Sequence, residues 1–383
     1  MLMFHTSSDE EIRAGDTTDI YFRRTKRIIE TLEQKRVVAE VTASSLPTGY
    51  RWAILAGVEE VAHLFSGVPV DVYSMAEGSL FYPNEPVVRI EGYYNDFCEL
   101  ETPLLGLLCQ ASGITTKSAR FRRSAPDKKL LSFGVRRIHP AIAPMVGRSA
   151  YIGGADGVSC ITAAKLVGQE PMGTMPHALI IYMGDQRAAW KAFDDYCPRG
   201  VPRIALVDTY ADEKTEALMA AETIKLDGVR LDTPQSRRGD MDAIVKEVRW
   251  ELGLRGHSIP IFVSGGIDEE AASALSADGF GIGSAVSNAP IIDFAMDLIE
   301  IEGKPCAKRG KWGGKKQVYR CPACMRGRVV PDDGKREKQA CECGRQMEPK
   351  LELLIKDGEV VRSLPKPPEI RRFVLEQLGI VAL

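Results

Sequence analysis

The sequence predicts an α/β protein whose centre is a parallel sheet wrapped by helices. Three observations carry that reading. Residues 114–290 alternate short apolar runs with helical segments, polar residues collect where the apolar runs end, and the last two runs each pass into a glycine-rich turn. Such alternation implies parallel strands joined by right-handed crossovers, hence a barrel or a doubly wound sheet.

Residues 1–113 read as an α+β domain without a repeat. Strands are expected over 33–42 and 68–73, and the run 80–90 is interrupted by Pro83 and Pro86. Ile54, Leu55, Val58, Val61, Ala62 and Phe65 fall at helical spacing over 53–65, and Leu100, Leu104, Leu105, Leu107 and Leu108 mark a buried helix over 99–113. In the central domain, 114–301, strands are expected over 130–133, 157–159, 171–174, 203–207, 228–231, 260–263 and 279–282. Helices are expected over 142–152, 161–167, 176–193, 212–225, 241–252, 269–277 and 291–301. Residues 302–350 turn basic and then cysteine-rich. The tail, 351–383, holds a proline-rich linker over 364–368 and a helix over 369–378.

Composition narrows the class. A chain of 383 residues exceeds one typical core, so several domains are expected. A net charge of −2 gives no global attraction to nucleic acid or anionic lipid. No apolar run approaches a membrane span, and Asp9, Glu10 and Glu11 stand where an export signal needs apolar residues. With nine cysteines, four of them clustered, a reducing, cytoplasmic setting with a metal site is expected rather than a disulfide framework.

In a parallel α/β barrel the carboxyl ends of the strands face the site. Here Phe133-Gly134-Val135-Arg136-Arg137 with His139 follow the first strand, and Gly173-Thr174-Met175-Pro176-His177 the third. Asp208-Thr209-Tyr210 follow the fourth, and Arg230-Leu231-Asp232 end the fifth. The last two strands run into Ser264-Gly265-Gly266-Ile267-Asp268 and Gly281-Ile282-Gly283-Ser284. One glycine turn merely closes a βα connection. Two in succession present bare N–H groups to an anion, which points to a sugar phosphate. The mouth mixes both charge signs, which suits transfer of a phosphoribosyl group. Carboxylates help a cationic ribose, and cations help the departing diphosphate. Asp208 and Asp232 are expected at sugar hydroxyls or Mg2+, and Arg136 and Arg230 at anionic groups.

These strand-end motifs, with Thr18-Asp19-Ile20-Tyr21 and Glu101-Thr102-Pro103-Leu104, stand in one order across residues 18–320, and the set resembles the nicotinate phosphoribosyltransferase family. The resemblance implies a type II phosphoribosyltransferase, with an N-terminal α/β sandwich domain beside an irregular, incomplete β/α barrel. It implies that nicotinate and phosphoribosyl diphosphate give nicotinate mononucleotide and diphosphate, with ATP as co-substrate. By the same resemblance Phe133 stacks on the pyridine ring, and Tyr21 covers its other face from a neighbouring subunit. That requires at least a homodimer and allows a higher oligomer. Arg136 is implied as a base or phosphate contact, Arg230 and Asp232 as ribose and phosphate contacts, and Gly265, Gly266, Gly283 and Ser284 as the 5′-phosphate site. His177 resembles the histidine phosphorylated from ATP. His63 reads as structural, His5 and His257 as surface residues.

Two departures from the family pattern stand out. Pro234 to Arg238 separate Thr233 from Gly239-Asp240, lengthening the loop after Asp232. Asp156, in Gly154-Ala155-Asp156-Gly157, is expected near the base, where its carboxylate would favour nicotinamide over nicotinate. Nicotinamide and quinolinate are therefore alternative bases.

Cys321-Pro322-Ala323-Cys324 and Cys341-Glu342-Cys343-Gly344 supply four thiolates in two close pairs, the set that tetrahedral zinc requires. A closed site of this kind is expected to be structural. Cys98, Cys109, Cys160 and Cys197 lack partners at ligand spacing and are expected as packed residues. The basic run from Lys304 to Arg320, with Trp312 and Tyr319, raises the alternative of a zinc-containing RNA-binding protein. The near-neutral charge and the motif set oppose it.

Overall fold

The structure is a computed structural model that describes residues 4–335 and 338–383, apart from the side chain of Gln235. It divides into two compact units, Met1–Thr116 with Pro290–Leu383, and Lys117–Ala289.

The first unit is built on a seven-stranded antiparallel sheet. Its strands run in the order Lys304–Pro305, Phe294–Ile301, Arg36–Ala43, Pro86–Tyr93, Asp71–Ser74, Glu352–Lys356 and Glu359–Val360. Val37, Val38, Ala39 and Val41 of the strand Arg36–Ala43 are all buried, as is Glu40, which pairs with Lys316, so both faces of the strand are covered. Val58, Val61, Leu64 and Phe65 of the helix Val58–Phe65 pack into the same core as Leu104 and Leu108. The tail helix Pro367–Leu378 is pinned by Gln377, which accepts from the Leu80 amide (2.9 Å) and donates to the Gly78 carbonyl (2.8 Å).

Phe294–Ile301 corrects the expected helix over 291–301. It pairs antiparallel with Arg36–Ala43, Phe294 opposite Ala43 and Ile301 opposite Val37. Phe294 and Met296 are buried while Ala295 is exposed, a period-two pattern whose partner lies some 250 residues away in sequence. The helix expected over 99–113 is Glu101–Ser124 and runs on past residue 113. Gly113 within it lets the chain at Pro290 pack close, since a Cβ there would lie 2.4 Å from the Pro290 carbonyl oxygen.

The cysteine-rich segment belongs to the same unit. Lys316–Arg320 pairs with Gly327–Pro331 and Glu348–Pro349. Arg320 is buried, paired with Glu85 and bonded to the carbonyls of Leu80 and Met325. Lys311, Lys315 and Lys316 pair with Asp297, Glu91 and Glu40. Much of the basic run is thus engaged in ion pairs within this unit.

The second unit is a parallel sheet of β1 (Lys129–Ser132), β2 (Gly157–Val158), β3 (Ile204–Leu206), β4 (Gly228–Leu231), β5 (Ile261–Ser264) and β6 (Gly279–Ile282). Their order is β2-β1-β6-β5-β4-β3, every pairing parallel. The strand expected over 171–174 does not form. Its segment makes one ladder-like bond, Met172 amide to Val158 carbonyl at 2.9 Å, and Pro171 lacks an amide to make another. The sheet therefore stays an open half-barrel. The helix expected over 176–193 is two, His177–Met183 and Gln186–Tyr196. Gly184 adopts φ +71° between them, and Asp185 caps the second through the Ala188 amide. Among the described residues no helix is long and apolar enough to cross a membrane.

Candidate active site

The carboxyl ends of the parallel strands surround a cleft of about 520 Å³. Phe133, Arg136, His177, Arg230, Asp232, Ser264, Gly265, Gly266, Gly281, Gly283 and Ser284 all line it, residues up to 151 positions apart in sequence.

Phe133 extends β1, its amide donating to the Ile282 carbonyl at 2.8 Å. The Arg230 guanidinium lies 5.9 Å from the centroid of its ring, within reach of a cation–π attraction. Gly281 gives that ring its seat: a Cβ there would stand 2.6 Å from Phe133 Cδ2 and 2.9 Å from Ser264 Cβ. This glycine thus makes room for an aromatic ring on the cleft wall. Gly134 lets the following turn, Val135–Arg137, press onto the sheet end, because a Cβ at 134 would sit 2.8 Å from the Gly283 carbonyl oxygen. That turn exposes both Arg136 and Arg137 to the cleft.

The two glycine turns have the open backbone their sequence suggests. Gly265 and Gly266 adopt φ +81° and +65°, left-handed values that glycine reaches without strain. The amides of Gly265, Gly266, Gly283 and Ser284 donate to no protein acceptor among the described residues. They are unspent donors at the rim of a cleft, the arrangement that binds an anion.

Beside the first of these turns lies a charged cluster. Ser264 Oγ donates to Asp232 Oδ1 at 2.8 Å, leaving Oδ2 3.8 Å from Arg230 and 3.9 Å from His177 Nε2. His177 Nδ1 lies 3.1 Å from the Thr209 hydroxyl, so the other ring nitrogen faces the carboxylates. Burial pushes the Arg230 guanidinium below the usual arginine value, against the pull of Asp232 and Asp208. Its Nε is buried without a partner.

Asp208 is not on the cleft wall. Its side chain is 3% exposed and accepts from the Asp232 amide at 2.5 Å and the Thr233 hydroxyl at 3.1 Å. Burial raises its carboxyl above the usual range, the Asp232 amide opposing. Asp208 Oδ2 thus supports the Asp232 backbone from behind, while its Oδ1 lies 3.8 Å from His177 Nε2. The loop that carries it is clamped by buried Glu216, which accepts from the amides of Thr209, Tyr210 and Ala211 at 3.0, 2.7 and 2.8 Å.

Asp156 corrects a second expectation. It lies at the amino end of the sheet, accepting from the Leu130 amide at 2.9 Å and pairing with Arg122 at 2.6 Å. It immediately precedes its strand, whereas the cleft opens where strands finish, so it is not among the residues that line the cleft. The inserted loop after Asp232 also resolves. Thr233 is buried against Asp208 and Glu213, and Asp240 caps the helix Met241–Leu254 through the Ala243 amide. Residues missed as individual site candidates include Arg137, Ser159 and Thr174 on the wall and Thr209 behind His177. Arg137 was legible as the second cation of a strand-end motif; Thr209 was not, since its partner is 32 residues away.

Tyr21 belongs to the other unit. It is 55% exposed on the helix Ile20–Ile29, with its hydroxyl 3.4 Å from Asp19. There the Thr102 hydroxyl accepts from the Asp19 amide at 3.2 Å, which brings the motifs at Thr18–Tyr21 and Glu101–Leu104 together.

The cysteines converge as their spacing suggests. The sulfurs of Cys321, Cys324, Cys341 and Cys343 lie within 4.8 Å of one another, two pairs at 3.5 Å. Four sulfurs about 2.3 Å from one zinc ion stand roughly 3.8 Å apart, so the cluster could hold a metal in tetrahedral geometry. Burial raises the Cys321 thiol, but the amides of Ala323 and Cys324 outweigh it and hold the thiol down to about 6.

Comparison with known proteins places the chain in a family. Residues 19–112 match the family model "Quinolinate phosphoribosyl transferase, N-terminal domain", and residues 114–297 match the corresponding C-terminal domain. A nicotinate phosphoribosyltransferase of Mycobacterium tuberculosis is 34% identical over 286 residues, 70% of this chain. The chain spans only 59% of that relative's length. The mouse nicotinate phosphoribosyltransferase is 27% identical over 411 residues, 82% of this chain and 74% of its own. Among solved structures, the nicotinate-nucleotide pyrophosphorylase of Pyrococcus furiosus superposes with a TM-score of 0.96 at 52% identity, covering 99% of this chain and 98% of that one. Human nicotinic acid phosphoribosyltransferase shares the fold, with a TM-score of 0.78 at 21% identity over 96% and 94%. The chain belongs to the type II phosphoribosyltransferase family, that of the quinolinate and nicotinate enzymes.

Proposed function

We propose that the chain joins nicotinate to the ribose of phosphoribosyl diphosphate, giving nicotinate mononucleotide and diphosphate for NAD biosynthesis. The observation that carries this reading is the cleft itself, lined both by the unspent amides of two glycine turns and by Phe133, Arg136 and Arg230. The amides take the 5′-phosphate, and Phe133 takes one face of the pyridine ring. Arg136 takes the carboxylate of the base, with the bidentate geometry a guanidinium offers. The ring nitrogen attacks C1 of the ribose as the bond to diphosphate breaks, and the bonding pair leaves on the diphosphate. Asp232 lies where it stabilises the positive charge that develops on the sugar, and Ser264 and the backing Asp208 hold it there. Mg2+, when bound, would carry part of the diphosphate charge, and Asp232 is the carboxylate on the cleft wall that could hold it.

His177 is the candidate phosphoryl acceptor from ATP. If Nδ1–H donates to Thr209, Nε2 keeps the lone pair that a phosphoryl group requires. Exposed Tyr21 fits a role across a homodimer, completing the cleft of a neighbouring copy. The cysteine cluster fits structural zinc, holding a segment too small for a core of its own. A cytoplasmic setting suits these free thiols.

Quinolinate is the second reading. Arg136, Arg137 and Arg230 together offer more positive charge than one carboxylate needs. Incubating the chain with phosphoribosyl diphosphate, Mg2+ and each base in turn separates the two. Mononucleotide from nicotinate without release of carbon dioxide is expected; product from quinolinate alone, with carbon dioxide, would overturn the base assignment.

A further inference from the structure

In the loop after Asp232, the five residues Pro234 to Arg238 stand between Thr233 and Gly239-Asp240. We propose that Arg238, at the end of this insert, is a positioning residue that aims the first phosphate turn, a role that rests on the phosphoribosyl-transfer reading above. Its guanidinium bridges two strand ends. Nη2 donates to the Thr233 carbonyl at 2.8 Å and to the Ser264 carbonyl at 2.9 Å, and Nε donates to Thr233 again at 3.1 Å.

Those two carbonyls sit where orientation matters. Thr233 follows Asp232, and Ser264 precedes Gly265. In a trans peptide the C=O and N–H point in opposite directions, and the described residues include no cis peptide. Holding the Ser264 carbonyl toward Arg238 therefore turns the Gly265 N–H away from it. That N–H belongs to a residue on the cleft wall and has no protein acceptor among the described residues. Gly265 is also close to both partners. A Cβ there would stand 3.2 Å from Arg238 Nη2 and 3.1 Å from Asp232 Oδ1, so guanidinium, glycine turn and carboxylate are packed as one assembly. A backbone at φ +81° with an open amide has little else to hold it, and a cation on its carbonyl supplies the constraint.

The role predicts a loss confined to the phosphate end of the substrate. Calorimetric titration of the full chain with ribose 5-phosphate should show Arg238→Met binding roughly ten- to a hundredfold more weakly than wild type, as expected for lost charge-assisted hydrogen bonds. Arg238→Lys, which keeps one donor, should fall between. Affinity for nicotinate alone should change less than threefold, since Phe133 and Arg136 are untouched. Equal ribose 5-phosphate affinity in wild type and Arg238→Met would overturn the proposal. So would parallel losses for both ligands, or failure of both variants to fold, because each marks a general scaffold role. A wild type that binds ribose 5-phosphate but turns over no pyridine base removes the proposed reaction and leaves the role of Arg238 standing. A wild type that binds no ribose 5-phosphate removes both.

Discussion

Gly281→Ala should damage the base end of the cleft while sparing the phosphate end. The new Cβ would meet Phe133 Cδ2 at 2.6 Å and Cε2 at 2.8 Å, whereas contacts become ordinary at 3.4 Å. The ring must retreat by about 0.8 Å, the difference of those distances, or the strand must shift. Escape is limited on the other side, where Ser264 Cβ would stand at 2.9 Å. Overpacking of this kind costs about 1–3 kcal/mol of stability. A misplacement of about 1 Å at a reacting group costs up to about a hundredfold in rate. Steady-state synthesis of mononucleotide should therefore show kcat/KM for nicotinate falling about ten- to a hundredfold, with ribose 5-phosphate affinity little changed. Adding Phe133→Leu should give back part of the lost stability, because it removes the atoms that clash; such coupling is the mark of a direct contact. A Gly281→Ala protein with wild-type nicotinate kinetics and an unmoved Tm would refute the assignment of this glycine as the seat of the ring.

Three further outcomes test other parts of the molecule. His177→Ala should abolish stimulation by ATP while slower synthesis without ATP persists; a rate ratio with and without ATP equal to that of wild type would dismiss the phosphoryl-acceptor role. Cys341→Ser should reduce bound zinc, measured by elemental analysis, from about one ion per chain to near none, and lower the Tm. Retention of the full metal content would reject the four-thiolate site. Burial, with repulsion from Asp297, pushes the Glu101 carboxyl up to about 7 from an ordinary 4.5. A raised folded-state value means that the group's contribution to stability is complete below pH 4.5 and is lost as pH rises through about 7. The difference in Tm between Glu101→Gln and wild type should therefore grow in the variant's favour from pH 5 to pH 8, and a constant difference would contradict that environment.

Much of the fold and site could be read from the chain before folding, and the physical reason is locality. The glycine turns of Ser264–Gly266 and Gly281–Ser284, the aromatic–arginine run from Phe133 and the paired cysteines each state their chemistry within a few residues. Strand–helix alternation placed all of the strand-end motifs at one end of a parallel sheet. Tertiary structure alone decided the rest, because it depended on partners distant in sequence. Phe294–Ile301 became a strand only by meeting Arg36–Ala43. Asp156, apolar-flanked and suggestive on paper, was turned to the far end of the sheet by the direction of β2 and held there by Arg122. Asp208 withdrew behind Asp232 once that residue's amide reached it, and Gly281 acquired its purpose only when Phe133 folded across it. Local sequence carries which groups are available; long-range packing determines which of them face the substrate.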